Sequence, residues 1–372
     1  MKRYGDRGEE KLSNKGRIAR FISFQGTTSK AEISSRLNLS MPTTLQNVKY
    51  LIEEGIAEET GEYASTGGRK AKAISIRSDA GYGAGVDITK NHVTMVMVNG
   101  KKEMIAAKRI RISYEDSRRY YEELIKAVKA FIESQKIDRA KIAGVGFSLP
   151  GIVDKEHCLL IRSHTLKVKN INFRSLGDSL GYPYGIENDA NSAAFAELGR
   201  EAENAVYLSL SNTVGGAICL GRRFYPGENF KSAEFGHMVI EKTGKTCYCG
   251  KKGCMDAYCS ALVLEEKAGC GLEEYFGRVR RREEDALRIL EEYLEDLAVA
   301  VTNLRMIFDC SIVLGGYVGG YLEDYLPELS RKLTAHNNFD IDTSYLKGGK
   351  YKLNAAAYGT ALKFIESFLI NL

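Results

Sequence analysis

The sequence predicts an α/β protein in two parts, a small N-terminal winged helix-turn-helix and a larger domain of two α/β lobes. Three observations predict it. Between residues 16 and 78 apolar residues recur at helical spacing, with a tight turn before the third helix and a basic hairpin after it. From Gly81 the pattern changes to strand-like alternation. An order of hairpin, long amphipathic helix and buried strand then occurs twice, in residues 79–190 and again in 191–353. The 372 residues exceed the roughly 100 to 200 of one domain. With 44% hydrophobic and 27% charged residues, and no apolar run near the ~18 residues of a membrane span, the chain reads as globular with no membrane partner.

Residues 1–15, "MKRYGDRGEEKLSNK", carry both charge signs and lack the apolar core of a secretory signal. They read as a solvated, flexible arm of a cytoplasmic protein. Ile18, Phe21 and Ile22 then mark one face of a first helix, ended near Gly26. Ser29 caps a second helix, in which Ile33 and Leu37 stand at i, i+4. Ser40 caps a third, with Pro42 in its first turn, where a missing N–H costs nothing. Leu45, Val48, Leu51 and Ile52 are its expected apolar stripe; Thr43, Thr44, Gln46, Asn47 and Lys49 are its polar face, able to reach base edges and phosphates. The hairpin that follows turns at "STGGRK", where Arg69, Lys70 and Lys72 form a basic wing suited to a minor groove. Residues 1–78 hold fourteen Lys and Arg against nine Asp and Glu, the whole net charge of +5. Double-stranded operator DNA is therefore the polyanion partner expected here. Three short helices would also serve as a packing or dimerisation domain; the charge excess favours DNA.

In the first lobe "GYGAGVDI", "HVTMVMVNG" and "EMIAAKRIRI" read as three strands, followed by the helix "SRRYYEELIKAVKAFIESQ" and the buried strand "KIAGVGFSL". In the second, "AVYLSLSNTVGGAICLGRRFYPGENF" reads as a glycine-bearing strand pair, "EEDALRILEEYLEDLAVAVTNLRMIF" as its helix and "SIVLGG" as its buried strand. The last helix, 354–370, is expected to be amphipathic and to return to the first lobe. Two lobes facing across a cleft make a natural small-ligand site.

Within "EFGHMVIEKTGKTCYCGKKGC", residues His237, Cys247, Cys249 and Cys254 offer one nitrogen and three sulfurs at offsets of ten, two and five. Such a set converges on a tetrahedral ion, and four protein ligands leave no open position, so a structural Zn2+ is expected. Free thiols are the plainer alternative, and Cys259 reads as a core residue rather than a fifth ligand. Glu234 and Asp256 flank this staple. Ionised carboxylates accept hydrogen bonds from the hydroxyl groups of a ligand, although solvated loop acids would look the same. In "IENDANSAAFAELG", Asn188 and Asp189 stand where a strand gives way to a helix; they read either as a plain N-cap or as hydroxyl ligands held by the helix terminus.

The order of the three-helix segment, "STGGR", "GVGFSLPGIVD", "IENDANSAAFAELG", "EFGH" and "CYCGKKGCMD" resembles the ROK family of repressors, open reading frames and sugar kinases, in its transcription-factor branch, over roughly residues 16 to 370. The resemblance implies an actin-like fold of the sugar-kinase and ribonuclease H kind, a homodimer or tetramer, and the same four zinc ligands. It implies a sugar effector in the cleft, held by Asn188, Asp189, Glu234, His237 and Asp256, the last being an aspartate where the family more often has glutamate. The function expected is a sugar-responsive regulator, a repressor of carbohydrate uptake or catabolism genes.

In the family's kinases the residue matching Asp189 is the catalytic base, and Mg-ATP lies on glycine turns. The first such turn here, "VDITKNH", keeps Asp87 but has Thr89 and Lys90 in place of glycines. The second, "SNTVGGA", keeps Gly215 and Gly216; the third, "LGGYVGG", keeps Gly315 and Gly316. An ATP-dependent hexose kinase with a DNA-binding extension is thus the alternative expectation.

Overall fold

A computed structural model describes residues 12–63, 71–199, 202–337 and 339–372. The chain divides into two compact units, one running up to Glu187 and taking in Thr360–Leu372, the other Asn188–Gly359.

The first unit begins with α1 (Asn14–Gln25), α2 (Lys30–Leu37) and α3 (Met41–Glu53). Each start is fixed by a serine. The hydroxyls of Ser13, Ser29 and Ser40 accept from the N–H groups of Gly16, Glu32 and Thr43. The first helix therefore starts inside the stretch expected to be a flexible arm. Asn38 closes α2 in the left-handed region at φ 52°, and the Arg17 guanidinium donates to the Leu37 carbonyl at 2.9 Å, which fixes the tight turn before α3. A hairpin of β1 (Ala57–Tyr63) and β2 (Ala71–Ile76) pairs Ala57 with Ile76 and Tyr63 with Ala71. Its tip, with Arg69 and Lys70, lies outside the described residues.

β3 (Tyr82–Ile88), β4 (Val93–Val98) and β5 (Met104–Ile110) form an antiparallel meander. Helix α4 (Arg118–Ser134) leads to β6 (Ile142–Leu149), parallel to β3. A small sheet of β7 (Ile152–Asp154), β8 (Leu159–Ser163) and β9 (Val168–Asn172), with α5 (Arg174–Leu180), precedes β10 (Tyr184–Asn188). Side chains alternate across this sheet with period two. Val86, Ile88, Val145 and Phe147 share one core with Leu124, Val128 and Phe131 of α4.

The second unit opens with α6 (Asp189–Leu198), β11 (Ala205–Leu210), β12 (Val214–Leu220) and β13 (Arg223–Phe224). The short helices α7 (Asp256–Cys259), α8 (Ala261–Ala268) and α9 (Leu272–Arg280) follow the cysteine loop. Helix α10 (Glu284–Phe308) then leads to β14 (Ser311–Gly315), α11 (Gly316–Gly319), α12 (Leu326–His336) and β15 (Leu346–Gly348). The sheet orders are β5-β4-β3-β6-β10 in the first unit and β13-β12-β11-β14-β15 in the second, so the repeat read from the sequence is a repeat of topology.

The chain closes with α13 (Ala355–Ile370). It is not amphipathic as expected: Ala357, Tyr358, Ala361, Leu362, Phe364, Ile365 and Leu369 are all buried, around most of its circumference. In the first unit the reason lies in the strands beneath it. A Cβ on Gly83 would meet the Ala361 carbonyl oxygen, and one on Gly146 the Thr360 carbonyl oxygen, so β3 and β6 admit the helix backbone itself.

Candidate functional site

The strongest cluster is the one the spacing predicts. One donor atom from each of His237, Cys247, Cys249 and Cys254 lies within 4.8 Å of all the others. The Cys249 and Cys254 sulfurs are 3.7 Å apart, and Cys247 Sγ is 3.9 Å from His237 Nδ1. Two sulfurs each 2.3 Å from a tetrahedral ion are about 3.8 Å apart, so the donor set fits such an ion. Burial raises the Cys247 and Cys254 thiols, whereas hydrogen bonds, that of the Lys251 N–H first, lower Cys249; a cation among them would favour all three thiolates. Burial, and then Lys251, lower the His237 pKa and keep its imidazole in the neutral form a ligand needs. The loop is tied at Cys247 N–H to Lys251 O, 2.8 Å, and Gly253 N–H to Lys245 O, 2.8 Å. Gly253, at φ 77°, is required as glycine because a Cβ there would strike the Glu241 carbonyl. Cys259 is fully buried in the same core as Leu264 and Leu294, and its carbonyl accepts from the Tyr293 hydroxyl at 2.8 Å.

Three segments close on the first residues of β12. Asp256 is buried, and its Oδ1 accepts from the Val214 N–H at 2.6 Å. Gly215 stands against Ala190, the second residue of α6; a Cβ there would make ordinary contact at 3.5 Å. Gly216 lies under Phe235, and a Cβ on Gly236 would strike the Val214 carbonyl. Three segments separated by tens of residues, "NDA", "EFGH" and "CMD", therefore converge on Val214–Gly216. At the head of α6 the Asn188 side chain accepts from the Asn191 N–H at 2.9 Å, and Asp189 accepts from Ala190 N–H at 2.9 Å and from the Asn188 amide at 3.2 Å. Both are half-buried, and Glu234 is exposed. Asn188 is thus an N-cap in fact, with its amide turned to orient Asp189.

Tyr248 was not among the expected site residues. Its hydroxyl lies 3.3 Å from His237 Nε2 and its ring meets the imidazole edge-on at 5.4 Å between centroids. Although Tyr248 is 55% exposed, desolvation of its hydroxyl, and then the charges of Asp256, Cys247 and Glu234, raise its pKa. Its position between two of the clustered cysteines, Cys247 and Cys249, was the available signal.

The glycines of the nucleotide turns have other occupations. A Cβ on Gly216 would collide with Phe235, one on Gly315 with Tyr207, and one on Gly316, at φ 80°, with Leu210 and Ser211. Three of the four are thus required by packing within the second unit. Ser211 Oγ accepts from the Tyr317 N–H at 3.4 Å, bridging the two turns. In the first unit Asp87 is buried and accepts from the Ser148 hydroxyl at 2.8 Å.

On α3, Gln46 and Lys49 are exposed and Thr43 and Asn47 half-buried. Thr44 corrects the expectation: it is fully buried and its hydroxyl donates to the Ser40 carbonyl at 3.1 Å, so it supports the helix start and reaches no base. Leu45, expected inside, is 44% exposed beside Met41 at 41%. The buried stripe is Thr44, Val48 and Leu51: the last two stand as expected, Thr44 takes the place of Leu45, and two apolar side chains are left on the outer face. Lys72 pairs with Glu59 at 2.5 Å, an exposed contact that a phosphate can replace at little cost.

No helix among the described residues is long and apolar enough to cross a membrane. Comparison with known proteins finds relatives along most of the chain. A xylose repressor from Caldicellulosiruptor bescii is 24% identical, covering 96% of this chain and 97% of its own. The crystal structure of a ROK family transcriptional regulator, a homolog of the E. coli MLC protein, superposes with a TM-score of 0.76 at 19% identity over 96% of both chains. A ROK family glucokinase from Streptomyces griseus, solved with glucose and AMPPNP, gives 0.64 at 20% identity, over 76% of this chain and 98% of its own. The model of the ROK family matches residues 83–366, from β3 almost to the end of α13, and the chain belongs to the ROK family.

Proposed function

We propose that the chain is a sugar-responsive transcriptional regulator that represses genes of carbohydrate uptake or catabolism. The observation that carries this reading is a likeness to a xylose repressor that extends over both chains almost entirely, together with the serine-capped α1–α3 at the N-terminus. In this reading α3 enters the major groove, with Gln46, Asn47, Thr43 and Lys49 facing bases and phosphates and Leu45 and Met41 available to thymine methyl groups. Lys72, with Arg69 and Lys70, serves the wing. The protein acts in the cytoplasm as a dimer or tetramer, so that two α3 helices meet two half-sites.

The effector is a monosaccharide held by Asn188, Asp189, Glu234, His237 and Asp256. Asp256 spends one oxygen on Val214, and a carboxylate has acceptor capacity left for a hydroxyl. The cysteine cluster holds a structural zinc ion through His237, Cys247, Cys249 and Cys254, which fixes the "EFGH" turn and Asp256 relative to each other. When bound, the ion supplies a rigid cross-link and keeps three thiols as thiolates.

The test is to select duplexes from a random-sequence pool with the purified protein and then titrate D-xylose, D-glucose and N-acetylglucosamine against the selected DNA. One sugar is expected to lower DNA affinity. A protein that selects no sequence, or whose DNA affinity no sugar alters, refutes the reading.

A second reading, a sugar kinase, is favoured by one observation: Asp87 and Asp189 both stand in a chain whose fold is shared with a glucokinase. Thr89 and Lys90, standing in the first turn where the family's kinases have glycines, weigh against it.

A further inference from the structure

Glu187, the residue before Asn188, has no part in the functional reading so far. It lies at the end of β10, almost fully buried, and its carboxylate holds two lysines: Lys363 of α13 at 2.5 Å and Lys155 at 2.9 Å. Burial would raise this carboxyl, but Lys363 first and Lys155 second pull it down to about 2, so it is charged at any physiological pH. A buried pair of this kind adds little to stability against an apolar substitute and is costly to break from one side. It fixes a geometry.

The geometry it fixes runs along one helix. From Lys363, α13 lies on the β3–β6 sheet, pinned where a Cβ on Gly83, Gly144 or Gly146 would collide with Ala361, Phe364 or Thr360. Lys102 adds a contact to Glu366 at 3.4 Å. At the far end a Cβ on Gly16 of α1 would strike the Ile370 carbonyl oxygen, and the Ser13 hydroxyl, which caps α1, donates to the Leu372 carbonyl at 2.8 Å. The first DNA-binding helix is thus seated on the C-terminus of the helix that Glu187 grips. Every one of these contacts lies in the first unit.

We propose that Lys363 and Glu187 are positioning residues of the effector response: a shift of the Glu187–Asn188–Asp189 segment on sugar binding moves α13, and α13 moves α1 through Gly16 and Ser13. This rests on the functional reading above, since it requires a sugar at Asn188 and Asp189. Ion-paired, glycine-seated packing has few intermediate positions, so a small displacement at Glu187 is passed on rather than absorbed.

The test uses the full-length, zinc-loaded protein with DNA it has selected itself, and D-xylose, D-glucose and N-acetylglucosamine as probes. In the wild type the active sugar is expected to weaken DNA binding by about 5- to 150-fold. Gly16→Ala and Lys363→Met are expected to bind that sugar within about threefold of the wild type yet to change their DNA affinity by less than about twofold, with Lys363→Arg restoring the response. If both variants keep the wild-type ratio, or if both lose sugar binding as well, the relay is overturned; Gly16→Ala decides alone where Lys363→Met fails to fold. If no sugar alters the wild type, the functional reading has failed instead. The relay is then decided by amide hydrogen exchange over residues 14–25 in the DNA-free protein, which Lys363→Met must accelerate; unchanged exchange overturns it.

Discussion

The Asp256 carboxylate accepts a hydrogen bond from the Val214 N–H at 2.6 Å, joining the residue two after Cys254, the last of the clustered cysteines, to the first residue of β12. The bond is buried, so removing its acceptor leaves an N–H unsatisfied at about 1–3 kcal/mol. Asp256→Ala is expected to lower the melting temperature by several degrees and to weaken sugar binding. Asp256→Asn, which keeps an acceptor oxygen, is expected to preserve the fold and lose affinity alone. Calorimetric melting and sugar titration of both variants separate the two effects; equal sugar affinity in all three proteins excludes Asp256 as a ligand.

Metal content tests the four-ligand cluster directly. One zinc per chain is expected by elemental analysis of protein purified without added metal. Cys249→Ser is expected to lose it, since three remaining ligands do not close a tetrahedral site. Chelation should release proton-competent thiols that react with a thiol reagent only after the metal leaves, and should lower the melting temperature. A full complement of zinc in Cys249→Ser contradicts the assignment.

Much of this was legible in the sequence, and the failures have physical causes. The caps at Ser29 and Ser40, the meeting of His237, Cys247, Cys249 and Cys254, and the doubled hairpin–helix–strand order depend on local spacing, which a sequence displays. Thr44 and Leu45 exchanged places because a threonine that bonds its own helix start can be buried, whereas polarity alone puts it outside. Helix α13 looked amphipathic because Lys363 and Glu366 lie on it; both are held by partners from other elements, Glu187 and Lys102, that no local pattern reveals. The convergence on Val214 is likewise a product of tertiary contacts.

On α3 the burial pattern gives a sharp contrast. Gln46→Ala is expected to relax base preference at one position of the selected duplex, at about 1–3 kcal/mol of discrimination. Lys49→Ala is expected to weaken binding to all sequences and to lower the salt slope by about 1. Thr44→Val should leave the base preference unchanged and lower stability instead, because its hydroxyl serves Ser40. Selection and salt titration of the three variants check this, and altered base preference in Thr44→Val contradicts its inward placement.

Asp87 predicts a pH dependence. Burial pushes its carboxyl up to about 6 against the Ser148 hydroxyl and the Arg109 charge. A carboxyl raised by folding contributes fully below its unfolded value near pH 4, and that contribution is lost as pH rises through about 6. At pH 7.5 the charge therefore costs up to about 3 kcal/mol. Asp87→Asn is expected to melt several degrees above the wild type at pH 7.5 and level with it at pH 4. An equal difference at both values excludes the ionisation of Asp87 as the cause.

Asp189 decides between the two functional readings. Its carboxylate is held at the start of α6 by the Ala190 N–H and the Asn188 amide, an arrangement that orients it for a hydroxyl. The same orientation serves a sugar ligand and a general base, so binding cannot tell them apart; turnover can. The zinc-loaded protein, given Mg-ATP and the sugar panel, is expected to form no ADP above background, while the effector sugar raises its melting temperature. Asp189→Asn is expected to abolish that rise, since an amide keeps one acceptor but loses the charge that attracts hydroxyl protons. ADP production that disappears in Asp189→Asn would instead make Asp189 a base and the chain a kinase. The glycines at 315 and 316 would then serve both packing and phosphate.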